Sequence, residues 1–239
     1  MSQLIKPFAV IVPAAGRGRR FNQEVPKQYT LLDGMSILEL SLDPIIRFSE
    51  CLGICLVISR EDSQWESLSF EGLELNCIEG GEERFLSVLN GINFWQNSSK
   101  TFDFILIHDA VRPCIRKSEI ESLFKTLEDT SIDGAVLGTP CRETMKEVSS
   151  ADNIVKRTVD RRSLWTAFTP QVFRKEALFS AFNNLEDKSV DFSDEASFIE
   201  ANQGKIKVIE GSRENIKVTL PEDLNIAKSI LISQGRISG

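Results

Sequence analysis

The chain has 239 residues, 41% hydrophobic and 26% charged, an ordinary globular balance with enough chain to bury a core without disulfide or metal staples. Its formal net charge of −7 argues against a general nucleic-acid binder but leaves room for a locally basic cleft that takes a small anion. Five cysteines at irregular spacing and a single histidine make neither a disulfide framework nor a zinc site, no apolar run reaches membrane length, and residues 1–7 lack the apolar region of a signal peptide.

An apolar run at residues 8–12 reads as a buried strand. It empties into Pro13-Ala-Ala-Gly-Arg-Gly-Arg-Arg20, continued by Pro26-Lys27-Gln28-Tyr29. Small residues let a ligand approach the backbone, and Arg17, Arg19, Arg20 and Lys27 crowd positive charge into the same loop, as expected of a phosphate site at the carboxyl edge of an α/β sheet. The alternative is a surface turn with solvated arginines. Position 21 is Phe where a dinucleotide loop needs its third glycine, no Gly-Lys-Ser/Thr follows, and no acidic ribose ligand stands ~20 residues on. The loop is therefore neither a Rossmann dinucleotide fingerprint nor a P-loop.

Further on, Ser36 caps a helix whose apolar positions recur through Ile45-Ile46, with Pro44 expected to kink or restart it. Strands are expected at 53–59 and 73–78, with a short helix at 62–69 between them. Gly80-Gly81-Glu82-Glu83-Arg84 precedes a helix with Phe85, Leu86, Val88, Leu89 and Ile92 on one face. Its first backbone N–H groups are free to meet a polar ligand, though an ordinary acidic helix start reads the same way. A further continuous apolar run, 104–107, ends in His108-Asp109 with Arg112 after it. An aspartate at the end of a central parallel strand points at the ligand crevice, where one oxygen ligand suits Mg²⁺; the alternative is a cap on the next turn. His108 reads as a core residue with no chemistry.

A helix at 117–130 and a strand at 134–138 follow. From about 139 to 162 the chain turns polar and poor in core residues, which reads as a protruding β-arm around a turn at 149–153, or as a solvated insertion. The body resumes with helices at 175–185 and from Asp194, a strand at 205–210, and a last helix with Pro221 in its first position and Leu224, Ile226, Ala227, Ile230 and Leu231 as its apolar side. Strands alternating with helices predict one α/β domain over 1–239, a Rossmann-like, mainly parallel sheet covered on both faces, with the arm as its one excursion.

Five blocks, in order, resemble the 2-C-methyl-D-erythritol 4-phosphate cytidylyltransferase family: Pro13-Ala-Ala-Gly-x-Gly-x-Arg20 with Pro26-Lys-Gln-Tyr29, Gly80-Gly-Glu-x-Arg-x-x-Ser87, His108-Asp-Ala-x-Arg-Pro113, the arm, and Asn215-Ile-Lys-Val-Thr219. The resemblance implies a cytidylyltransferase (class 2.7.7) of isoprenoid biosynthesis that takes CTP and Mg²⁺ in the cytoplasm. It also implies a homodimer, with no nucleic-acid or membrane partner. It implies Arg20, Lys27 and Lys217 as catalytic cations around the triphosphate, with Lys217 facing the phosphates from the side opposite Lys27. Ala14, Ala15, Gly16, Gly18, Gly81, Glu82 and Ser87 would hold the nucleotide, and Asp109 the metal. Arg112, Thr144, Arg161, Thr169 and Ser193 would hold the polyol phosphate, with Thr144 and Arg161 lent by the arm to the partner's site. Glu82, Glu143 and Ser193 stand where the family usually has Asp, Asp and Thr. A relative acting on ribitol 5-phosphate, a nucleotide-linked oxidoreductase and a non-catalytic nucleotide-binding subunit are the competing readings.

Overall fold

In the computed structural model the described residues are 5–16, 21, 26–68, 70, 72–185, 192 and 194–238. Strand β1 (Phe8–Pro13) is followed by a 3-10 turn at Lys27–Tyr29, the two-residue strands β2 (Leu31–Leu32) and β3 (Met35–Ser36), helix α1 (Ile37–Ile46) and β4 (Cys51–Ile58). A 3-10 turn at Gln64–Ser67 leads to β5 (Leu75–Glu79), α2 (Arg84–Gln96), β6 (Phe104–Ile107), α3 (Lys117–Thr126) and β7 (Gly134–Pro140). The hairpin β8 (Met145–Val148) and β9 (Val155–Val159) precedes β10 (Trp165–Arg174), α4 (Lys175–Asn183), α5 (Glu195–Ala201), β11 (Ile206–Glu210) and α6 (Asp223–Ser233).

Seven strands form one sheet in the order β11-β7-β10-β6-β1-β4-β5. All neighbours are parallel except β10, which runs antiparallel to both β6 and β7. Alternation along β1 divides the core. Phe8, Val10 and Val12 face a cluster built with α1, α3 and α6, while Ala9 and Ile11 face one built with α2, α4 and α5. Both faces are thus covered, as the continuous apolar strands require.

Parallel pairing puts the carboxyl ends of β1, β4, β5 and β6 on one edge. Ile11 lies opposite Ile107, so the chain leaves β1 and β6 side by side. Backbone bonds then tie the exit loops together: Ala14 N donates to Val57 O (2.7 Å), Gly80 N to Ile58 O (2.7 Å) and His108 N to Ile11 O (3.1 Å). Gly80 is required by this crowding, because a Cβ there would lie 2.6 Å from the Cβ of Ala15 and 2.8 Å from Ser87 Oγ.

Pro44 neither breaks nor restarts α1, which carries it inside its last turns. Leu40 O, deprived of the N–H four residues on, accepts instead from the Arg236 guanidinium at 2.5 Å, so a distant side chain replaces the missing helical bond. The last helix begins at Asp223, with Pro221 in the turn before it. Ala227 and Leu231, one turn apart, are its buried residues, and Ile226 falls outside that stripe and is exposed. Helix α3 stops at Thr126, four residues short of the expected end, and the residues to 130 form turns.

The excursion at 139–162 is a two-stranded antiparallel arm with Met145 opposite Val159. Met145, Val148, Ile154, Val155 and Trp165 are exposed on it or at its root. The five cysteines are free thiols, and Cys51, Cys55 and Cys114 are buried. Among the described residues no helix is long and apolar enough to cross a membrane.

Candidate active site

The loops at the carboxyl edge of the sheet enclose a cavity of about 290 Å³. Ala14, Ala15, Gly16 and Lys27 from the first block line it, with Gly81, Glu82, Arg84 and Ser87 from the start of α2, Asp109 from the end of β6, and Lys217. Four blocks far apart in sequence therefore meet in one concave site, where ligands bind in open α/β sheets.

Asp109 is its electrostatic centre. The carboxylate is 7% exposed and meets three cations: Arg84 Nε donates to Oδ1 at 3.0 Å, while Arg112 Nε (3.0 Å) and Lys217 Nζ (3.1 Å) both reach Oδ2. Burial alone would push this carboxyl up. Arg84, Lys217 and Arg112 outweigh it and hold Asp109 well below the usual carboxylate range. Arg84 is shared in turn: its Nη1 and Nη2 donate to Glu195 Oε1 and Oε2 at 2.6 and 3.3 Å. Glu195 is 1% exposed, and burial raises its pKa against the pull of Arg84.

Neutral groups brace the cluster. Asp109 N donates to Thr169 Oγ1 (2.9 Å), and Asn215 Nδ2 donates to Thr169 O (2.9 Å). The Arg112 guanidinium stacks on Phe168 at 5.5 Å and donates to Asn215 O at 2.9 Å. Val218 N donates to Val111 O (2.9 Å), pinning the Asn215–Thr219 block beside the Asp109–Arg112 turn. Lys27 Nζ reaches Val218 O at 3.0 Å, which brings Lys27 onto the segment that carries Lys217. Gln28, buried, donates to Ala14 O at 3.1 Å and shapes the first loop. At the start of α2, Gly81 N donates to Ser87 Oγ at 3.2 Å, so these two read as one unit.

His108 is fully buried. Its Nε2–H donates to Arg112 O at 3.2 Å, and burial lowers its pKa to about 4. It keeps the turn after β6 and is a neutral core group, in line with the reading that gave it no chemistry.

Of the residues singled out in sequence, Ala14, Ala15, Gly16, Lys27, Gly81, Glu82, Ser87, Asp109 and Lys217 line the cavity. Arg112 stands just behind Asp109. Thr169 is not on the wall: it is buried, and both its hydroxyl and its carbonyl are engaged in bracing. Thr144 and Arg161 sit on the exposed arm and are not among the residues lining the cavity. Gly18, Arg20 and Ser193 lie outside the described residues. Sequence reading missed Arg84 and Glu195 as members of the charge cluster. Arg84 was legible as the arginine of the second Gly block; Glu195, 111 residues away, carried no signal beyond an acidic helix start.

No group of three or more His, Cys, Asp or Glu that could hold a metal occurs among the described residues. The donor set nevertheless fits one hard cation of the Mg²⁺ kind. Mg²⁺ keeps most of its waters and takes one or two carboxylates plus substrate phosphates. A carboxylate offers about four lone-pair positions, and Asp109 uses three.

The profile of the 2-C-methyl-D-erythritol 4-phosphate cytidylyltransferase family matches residues 8–233. A protein of that name from Pseudoalteromonas atlantica is 39% identical over 94% of this chain and 95% of its own length, and one from Hahella chejuensis is 40% identical over 93% and 92%. The crystal structure of the Francisella tularensis 2-C-methyl-D-erythritol 4-phosphate cytidylyltransferase superposes with a TM-score of 0.80 at 33% identity, covering 94% of this chain and 100% of that one. The 4-diphosphocytidyl-2C-methyl-D-erythritol synthase of Anaerococcus prevotii gives 0.77 at 25% identity, over 95% and 96%. With its cavity at the sheet's carboxyl edge and its ordered sequence blocks, the chain belongs to the 2-C-methyl-D-erythritol 4-phosphate cytidylyltransferase family.

Proposed function

We propose that this chain, as a single nucleotidyltransferase domain, transfers the cytidylyl group of CTP to 2-C-methyl-D-erythritol 4-phosphate, releasing pyrophosphate and giving 4-CDP-2-C-methyl-D-erythritol for isoprenoid synthesis. The observation that carries this reading is the buried Asp109 carboxylate held by three cations on the wall of a cavity whose other walls are the family's nucleotide loops.

The acceptor phosphate oxygen attacks the α-phosphorus in line with the departing pyrophosphate. A phosphomonoester loses its second proton near pH ~6, so the nucleophile is already an anion and the protein need not remove a proton. What it must do is hold two anions together and stabilise charge at the α-phosphate. Lys27 and Lys217 perform that work with Arg20, while Ala14, Ala15, Gly16, Gly18, Gly81, Glu82 and Ser87 hold the nucleotide. Arg112 and Ser193 hold the acceptor, and Thr169 braces Asp109 from behind. Mg²⁺ on Asp109, when bound, neutralises phosphate charge. Asp109 remains a carboxylate throughout the working pH range and keeps the cations around it in place when no nucleotide is present.

Thr144 and Arg161 complete the acceptor site of a second copy, with the exposed apolar residues of the arm as the dimer contact. The five free thiols suit a reduced, cytoplasmic setting.

Pyrophosphate release with CTP and Mg²⁺ tests the reading, with methylerythritol phosphate and ribitol 5-phosphate offered in parallel. Release with methylerythritol phosphate alone is expected. Release with ribitol phosphate alone would move the activity to another acceptor, and silence with both would overturn the enzyme.

A further inference from the structure

We propose that Glu195 is a positioning residue of this site: by holding the fork of Arg84, it keeps Arg84 from closing with both prongs on Asp109 and so leaves one lone-pair position on Oδ1 open to a divalent cation. The inference rests on the proposed metal-dependent nucleotide binding and deepens it.

Four observations lead here. Arg84 is the first residue of α2 and lines the cavity. It is split between two carboxylates, giving a single Nε contact to Asp109 Oδ1 and both terminal nitrogens to Glu195. Arg112 and Lys217 both lie on Oδ2, so among the described residues Arg84 is the one cation on Oδ1. Glu195 opens α5, which Asp194 anchors: its Oδ1 accepts from Ser197 N (2.9 Å) and its Oδ2 from Gln171 Nε2 (3.1 Å). The Glu195 carboxylate therefore sits at a fixed point, and its grip fixes where the guanidinium can go.

A guanidinium favours a two-pronged contact with a carboxylate. Here the two-pronged contact is made to Glu195. Without that charge, Asp109 is the carboxylate left within reach. Turning the fork onto it would occupy the remaining position on Oδ1 and set Arg84 in direct competition with an incoming cation. Partners behind a metal ligand commonly change metal affinity by roughly 10–100-fold.

The test is Glu195→Gln, which preserves shape and removes charge. Calorimetric titration of CTP is run at a series of MgCl₂ concentrations, with no acceptor and no turnover. The variant is expected to need about 10-fold more Mg²⁺ for half-maximal CTP binding, while binding of CTP without Mg²⁺ stays within about twofold of the parent. Adding Arg84→Gln should return the Mg²⁺ requirement toward that of the parent, an outcome that a merely structural ion pair would not give. A folded Glu195→Gln protein with an unchanged Mg²⁺ requirement overturns the proposal, and so does a shift that Arg84→Gln fails to reverse. Should Glu195→Gln not fold, Glu195→Asp, which withdraws the charge by one methylene, is read against the same two outcomes. If the parent itself binds no CTP, the functional reading fails instead, so the two failures are distinguishable.

Discussion

Asp109→Asn is the perturbation that the charge cluster makes most informative. The substitution keeps the shape and removes the charge that three cations share at 3.0, 3.0 and 3.1 Å. An ion pair at this separation has a Coulomb attraction of about 5 kcal/mol at an effective dielectric near 20. Repulsion among the cations and the desolvation of all four groups offset much of that, and removing one partner of a buried cluster typically costs about 3–5 kcal/mol. In a chain of this size that is a fall in Tm of about 6–20 °C. Arg84 retains Glu195, so the loss should sit toward the lower end. The freed cations also make the cavity a stronger trap for polyanions. Metal-free pyrophosphate or CTP should therefore bind the variant more tightly and stabilise it more than the parent at the same concentration (a ligand at 100 times its Kd stabilises by about 2.7 kcal/mol in all), while turnover falls by at least about 10²-fold. Differential scanning calorimetry with and without pyrophosphate, beside a turnover assay, reads all three effects. A parental Tm with no extra stabilisation by pyrophosphate would refute the claim that Asp109 holds three cations in a polyanion site.

Deleting residues 143–160 should give a monomer by sedimentation with activity near background, whereas an active monomer would show that the acceptor site is complete in one chain. Arg236→Met should lower stability by about 2–3 kcal/mol in thermal melts with CTP affinity unchanged, because Leu40 O and the carbonyls of Pro113 and Ile115 lose their donor. An unchanged Tm would show that the bond replacing the one lost at Pro44 contributes nothing. Burial pushes the thiols of Cys51 and Cys114 up to about 11 and about 12. A raised pKa keeps the unreactive thiol form, so at pH 8 native Cys51 should label about 100-fold more slowly than in the unfolded chain, with the rate climbing only as pH nears 11. Prompt labelling at pH 8 would contradict the buried placement.

Much of the architecture was legible because its signals are local. Apolar runs ending in Pro13 and in His108-Asp109 marked the central strands, and Ser36 marked a helix start that the structure closes as a capping box with Glu39. What escaped depends on distant partners. Pro44 argued for a kink or a restart, and the donor that serves Leu40 O in place of the missing helical N–H comes from Arg236, 192 residues beyond Pro44. Pro221 suited a first helical position, yet the turn before Asp223 claimed it. In the site, the blocks around Lys27, Gly81, Asp109 and Lys217 announced themselves through glycines and charges next to core strands. Glu195 did not, because an acidic residue opening a helix looks like an ordinary dipole partner until the fold places Arg84 against it. The resemblance implied Thr169 on the acceptor side, and its burial behind Asp109 follows from β10 running antiparallel beside β6, a pairing that periodicity does not reveal.

The central claim is that this cavity joins a CTP-derived cytidylyl group to a polyol phosphate. The direct measurement is to incubate the protein with CTP, Mg²⁺ and 2-C-methyl-D-erythritol 4-phosphate and to follow products by mass spectrometry and phosphorus NMR. The account predicts the CDP-linked methylerythritol and pyrophosphate in equal amounts, with neither formed when CTP or the acceptor is withheld. Pyrophosphate without the linked product, or CTP bound and recovered intact in the presence of the acceptor, would contradict it.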